Sequence, residues 1–108
     1  MPIDSRIVKN VVAKELSRIR TISDLARLLG SPPEALKKEF VRKEGTSISR
    51  YISEVRIERA KALLSHSNWQ CKELCLAIGF SRADTGSHVF KRYTGMSMEE
   101  FRKTTKMQ

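Results

Sequence analysis

The chain repeats itself, and the repeat is what most narrows the folds open to it. The stretches GSPPEALKKEFVRKEG (30–45) and GFSRADTGSHVFKRYTG (79–95) share one layout: glycine, serine, a short helix-like run reaching Phe, basic residues, glycine. A shift of 50 positions pairs Ser31 with Ser81, Phe40 with Phe90, Arg42 with Arg92, Gly45 with Gly95, Ser47 with Ser97 and Tyr51 with Phe101. Upstream the shift is 49, because Phe80 is an extra residue: Leu25 pairs with Leu74, Ala26 with Cys75 and Gly30 with Gly79. Each copy is a short helix, a tight turn at glycine and a second helix with basic residues toward its end. That is the layout of a helix-turn-helix unit, whose second helix enters the DNA major groove.

The rest of the chain agrees with an all-helical fold. The three prolines are Pro2, Pro32 and Pro33, and glycines stand at punctuating positions. A first helix is expected over 4–19, with Ile7, Val8, Val11, Val12 and Leu16 on its inner face. A short helix in TISDLARLLG follows, with Leu25, Ala26 and Leu29 inward and Gly30 ending it. The next helix starts near Pro33, where a proline costs nothing because that N–H is unpaired anyway. Ser31 with Glu34 has the spacing of a capping box, as does Ser97 with Glu100. Over 47–65 runs the longest periodic segment, with Ile48, Tyr51, Ile52, Val55 and Leu63 as its apolar stripe and Arg50, Arg56, Arg59 and Lys61 on its wet side. Two short helices and a closing one over 97–104 bring the expected count to seven. The expected division is a first helix-turn-helix subdomain at 1–46, a linker helix at 47–66 and a second subdomain at 67–108.

Charge points to the partner. Eleven basic residues stand against seven acidic in 1–54, and ten against five in 55–108, so the net +9 is spread over the whole chain. A folded chain with pI near 10 most often meets a polyanion. A membrane-surface role fails for want of a long apolar face opposite the basic one. No run is long enough to span a bilayer, no signal-peptide layout opens the chain, and a cytoplasmic, nucleoid-associated location is the default.

Cys71 and Cys75, four apart, share a helix face, yet both fall where a packed helix wants small apolar residues, and free Cys behaves as one. His66 and His88 lack zinc-site spacing. No metal and no cofactor are expected. An enzyme is not expected either: no paired carboxylates, glycine-rich phosphate loop or credible triad is present.

In the first copy Leu36 and Phe40 make the inward stripe, and Glu34, Lys37, Lys38 and Val41 line the outward face. Lysines there donate to guanine O6/N7 or to phosphates. The second copy presents Asp84, Ser87, His88 and Lys91, a face poorer in strong donors. Asp84 has two readings, an acceptor from cytosine N4 or a first-turn acid boxed with Ser81, and Glu34 shares the ambiguity. The first helix is therefore expected to read bases and the second to contribute more to positioning.

At these residues the chain resembles the DNA-binding domain of the AraC/XylS family of bacterial transcription regulators. The match runs over 7–103 and is carried by ISDLARLLG, by ALKKEFVRKEGTSISRYISEVRIERAKALL, and by KELCLAIGFS leading to HVFKRYTGMSMEEFR. The resemblance implies seven helices and two helix-turn-helix units joined by the 47–65 helix. Both recognition helices would then enter successive major-groove segments on one face of a duplex. The base-facing positions carry over to Glu34, Lys37 and Lys38, then to Ala83, Asp84, Ser87 and His88. The phosphate neighbours carry over to Arg42, Lys43, Lys91 and Arg92, with Val41, Arg50, Ser81 and Arg82 beside them.

The resemblance further implies activation of transcription rather than repression, with RNA polymerase as partner. The competing expectation is a weakly specific nucleic-acid binder or architectural protein, whose sign is equal affinity for unrelated duplexes. Many relatives carry a separate effector or dimerisation domain ahead of this part. Met1 precedes the first helix by only a few residues, so the chain reads either as a small stand-alone regulator or as an excised C-terminal domain, a monomer on an asymmetric site. Three positions depart from the family pattern. Pro32 takes the usual cap serine's place, with Ser31 expected to cap one residue early. Glu39 replaces an apolar residue, and Gly86 stands opposite Leu36. Gly costs roughly 1 kcal/mol in mid-helix, and an unfilled Leu-sized space about another 2–5 kcal/mol. A looser second recognition helix is the expectation.

Overall fold

The computed structural model describes residues 4–106. Its helices are α1 (Ser5–Lys14), α2 (Ile22–Leu29), α3 (Pro33–Glu44), α4 (Ile48–His66), α5 (Cys71–Ala77), α6 (Ala83–Thr94) and α7 (Met98–Lys106), with a 3-10 turn at Leu16–Arg18. There is no strand among the described residues. Two compact units divide at Val55 and Arg56, inside α4.

In the first unit, the Asp4 carboxylate accepts the Arg6 N–H at 2.9 Å and starts α1. Its buried positions are Ser5, Val8 and Val12. Ile7, expected inward, is 55% exposed, because it lies about 100° around the helix from Val8. The helix also stops short of the expected residue 19. Past Lys14 the bonding tightens, with the Arg18 N–H on Glu15 O at 2.9 Å and the Ile19 N–H on Leu16 O at 3.3 Å, and Asp24 Oδ2 then accepts the N–H groups of Arg20 and Thr21 at 3.0 Å. The intervening 3-10 turn still buries Leu16 and Ile19. Thr21 Oγ1 accepts the Asp24 N–H at 3.2 Å, so a capping box that the sequence reading overlooked opens α2.

Gly30, at φ 66°, ends α2 in the left-handed region that disfavours a side chain. The N–H groups of Gly30 and Ser31 close the turn on Arg27 O and Ala26 O at 3.3 and 3.0 Å. In the second unit Gly79 and Phe80 close on Leu76 O and Cys75 O at 3.2 and 3.1 Å, the same bonds 49 residues later.

The repeat is therefore structural and reaches past its legible motifs. Leu36 and Phe40 are buried on α3, as Gly86 and Phe90 are on α6. Phe40 packs on Tyr51 at 5.5 Å between ring centroids, and Phe90 on Phe101 at 5.6 Å. The buried set of α1 (Ser5, Val8, Val12) recurs 52 positions on as Ile57, Ala60 and Leu64. The first half of α4 thus does for the first unit what α7 does for the second, and its second half does for the second unit what α1 does for the first.

This double duty corrects the stripe expected for α4. Ile48 and Ile52 are buried, but beyond residue 55 the buried positions are Arg56, Ile57, Ala60 and Leu64, while Leu63 is half-buried. No single helical stripe holds both sets. Arg56, expected on the wet side, is 9% exposed. Its Nε donates to Ile78 O at 3.3 Å and its guanidinium lies 5.3 Å from the centre of the Phe80 ring.

The expected vacancy at Gly86 is also corrected. A Cβ placed on Gly86 would lie 2.7 Å from Cys75 Sγ, 2.9 Å from Phe80 Cδ2 and 3.0 Å from Cys75 Cβ. The extra residue Phe80 and the thiol of Cys75 occupy the space that Leu36 fills in the first unit, so the premise of a loosened α6 falls away. Cys75 is fully buried as a small hydrophobe, with Met98 Sδ 3.7 Å from its sulfur, while Cys71 is half-buried. Burial pushes the Cys75 thiol above its ordinary pKa, away from a reactive thiolate. The Ser97–Glu100 box forms as expected: Ser97 Oγ accepts the Glu100 N–H at 3.1 Å and Glu100 Oε1 the Ser97 N–H at 3.3 Å.

Candidate nucleic-acid interface

The two second helices carry the surface of interest. On α3, burying Leu36 and Phe40 turns Glu34, Lys37, Lys38 and Val41 outward, all exposed. Lys37 Nζ lies 3.1 Å from Glu34 Oε1, a pair along one helix face. Lys38 and Lys43 are exposed and carry no ion pair among the described residues. Arg42 Nη2 and Nε meet Glu39 Oε2 and Oε1 at 2.9 and 3.2 Å, a two-pronged pair that holds the Glu39 carboxyl below its ordinary pKa. Glu39 thus orients Arg42 on its own helix. Arg50, exposed, pairs with Glu54 at 3.3 Å.

The Ser31–Glu34 capping box does not form. Pro32 is the N-cap of α3, with no side-chain bond to the helix, and Glu34 is engaged by Lys37. Lys9 pairs with Glu44 and lies 5.7 Å from the Tyr51 ring centre, so this cation is directed into its own unit rather than outward.

On α6 the exposed residues include Asp84, Ser87, His88, Lys91 and Arg92, with Ala83 half-buried. The box reading of Asp84 is not realised: α6 has Arg82 as N-cap and no side-chain cap. Instead Arg82 Nε and Nη2 meet Asp84 Oδ1 and Oδ2, each at 3.2 Å, while Ser81 is exposed. The two charges offset one another, which lessens the repulsion Asp84 alone would offer a phosphate. Lys91 and Arg92 carry no ion pair among the described residues. Each of the two helices therefore presents an outer edge whose acids are matched by nearby cations and whose remaining charge is positive.

Every residue of the expected contact set is exposed except Ala83, which is half-buried. Sequence reasoning missed Arg56 on the inner side, although Arg56 adjoins Ile57 in the 57/60/64 stripe, the one signal of its burial. Among the described residues no helix is long and apolar enough to cross a membrane, and no group of three or more His, Cys, Asp and Glu is gathered to hold a metal ion.

A family model described as a helix-turn-helix domain matches residues 25–104. The chain is 31% identical over 96 residues to the Msm operon regulatory protein of Streptococcus mutans, covering 89% of this chain and 34% of that protein. It spans less than half the length of the curated relatives it matches first. Among solved structures, a DNA-binding transcriptional dual regulator of Escherichia coli K-12 superposes with a TM-score of 0.80 at 27% identity, covering 94% of this chain and 90% of that one. The DNA-binding domain of AdpA, solved in complex with a target DNA, shares the fold at a TM-score of 0.85 and 19% identity, covering 94% and 92%. The chain belongs to the AraC-type helix-turn-helix family of transcription regulators.

Proposed function

We propose that the chain is the sequence-specific, double-stranded-DNA-binding part of a transcription regulator and has no enzymatic role. The α3 and α6 edges enter adjacent major-groove segments of one duplex. The observation that carries this reading is the pair of structurally matched units, each burying one side of its second helix and exposing a net cationic edge on the other. The likeness to the AdpA domain, a fold solved on DNA, supports it.

On α3 the base readers are Glu34, Lys37 and Lys38, and on α6 they are Ala83, Asp84, Ser87 and His88. Val41, Arg42, Lys43, Arg50, Ser81, Arg82, Lys91 and Arg92 flank phosphates. Lys37, Arg42, Arg50 and Arg82 each have an acid partner, which leaves Lys38 the one lysine among the base readers without an ion pair among the described residues. Activation through RNA polymerase, binding as a monomer to an asymmetric site, and location on the cytoplasmic nucleoid complete the proposal.

The test is selection of sites from random duplexes by the wild type, Lys37→Ala and Lys38→Ala. Loss of a base-reading lysine costs about 1–3 kcal/mol and relaxes preference at one position. Loss of a phosphate contact weakens all sites alike and lowers the salt slope by about 1. Equal affinity of the wild type for unrelated duplexes refutes the reading. Sedimentation of a stable dimer without DNA refutes the monomer.

A further inference from the structure

The two units secure their second helices by different means. In the first, Leu36 of α3 is itself the buried anchor. In the second, α6 has only Gly86 at that place, and the hold comes from outside the helix, where Phe80 would lie 2.9 Å from a Cβ on Gly86. Phe80 sits in the turn between α5 and α6 and is buried. The Arg56 guanidinium, 5.3 Å from the ring centre, covers it, and Arg56 Nε donates at 3.3 Å to Ile78 O in the same turn. A buried guanidinium is retained only where its N–H groups and its flat face are met. Here a main-chain carbonyl meets one and an aromatic ring the other.

We propose that Arg56 is a positioning residue for α6, setting the angle at which that helix presents Ser87 and His88. The inference rests on the reading of α6 as a DNA-contacting helix. The route is short: Arg56 fixes Ile78 O and the Phe80 ring, and the Phe80 ring, with the Cys75 side chain beside it, is the surface against which Gly86 seats. Without the guanidinium, the turn carbonyl loses a donor and the ring loses its cover. Gly86 has no side chain of its own, so at that layer α6 seats only on the Phe80 ring and the Cys75 side chain. The first unit has no such dependence, because Leu36 is on the recognition helix itself. Arg56 is thus a determinant of DNA preference that makes no contact with DNA.

The experiment is site selection from random duplexes with the wild type, Arg56→Met and Phe80→Leu, each shown folded by circular dichroism at the assay temperature. Lys38→Ala and His88→Ala in the wild-type background mark the blocks of base preference belonging to α3 and α6. Arg56→Met is expected to lower discrimination in the α6 block about 10-fold or more, as for loss of a hydrogen bond to a charged group, and Phe80→Leu to lower it in the same block. The α3 block and the salt slope stay unchanged. An intact α6 block overturns the proposal. So does a parallel loss in both blocks, the mark of general destabilisation. Should Arg56→Met not fold, Phe80→Leu decides by the same criteria. A wild type that yields no α6 block refutes the functional reading itself, and the Arg56 proposal with it.

Discussion

Gly86→Ala separates a filled site from an open one. In an open mid-helix position the change stabilises by about 1 kcal/mol, through helix propensity alone. At Gly86 the added methyl meets Cys75 Sγ at 2.7 Å, Phe80 Cδ2 at 2.9 Å and Cys75 Cβ at 3.0 Å. None of the three yields easily: Cys75 is fully buried on α5 with Met98 behind its sulfur, and Phe80 is 6% exposed beneath Arg56. Overpacking a filled site costs about 1–3 kcal/mol. Set against the propensity gain, the net expectation is a loss of about 0–2 kcal/mol.

Equilibrium denaturation followed by the fluorescence of Trp69, the sole tryptophan and a second-unit residue, reports the unit concerned. A Cys75→Ala background removes the closest contact, so Gly86→Ala should there cost less by about 1 kcal/mol, read as the coupling in the double-mutant cycle. Stabilisation by Gly86→Ala in the otherwise wild-type chain, with no coupling to Cys75, would refute the filled-space argument.

Two further expectations concern local devices. Thr21→Ala removes the oxygen that accepts the Asp24 N–H and should cost about 1 kcal/mol, read as faster amide exchange in α2; unchanged exchange refutes the cap's role. Acid should also destabilise the fold. The carboxyl of Asp24 is held below its ordinary 3.8 by the Arg20 and Thr21 N–H groups, that of Glu44 below 4.5 by Lys9 and Ser5, and that of Glu100 below 4.5 by Ser97. A folded-state pKa lower than the unfolded one gives stability that is complete above the unfolded value and drains away as pH falls through the folded one. Melting temperature should therefore be level from pH 7 to about 5 and fall below about 4. Asp24→Asn should flatten part of that fall, and a melting temperature unchanged down to pH 3 contradicts the assignment.

The sequence by itself determined the number of helices, the duplication and the exposed edge of each second helix. These follow from local rules: spacing of Leu36 and Phe40, glycine at the turns, proline at a first turn, and a repeat whose own copy checks it. It also determined the Ser97–Glu100 cap, since both partners lie within one turn. Only the tertiary structure decided what depended on partners distant in the chain. Arg56 was buried because Ile78 and Phe80, more than twenty residues away, met its charge and its flat face. Gly86 read as a vacancy because periodicity along α6 cannot register a ring arriving from the preceding turn. A helix pattern records which side of a segment is apolar. It carries no record of which neighbour will fill the space beside it, and that neighbour is chosen by packing in three dimensions.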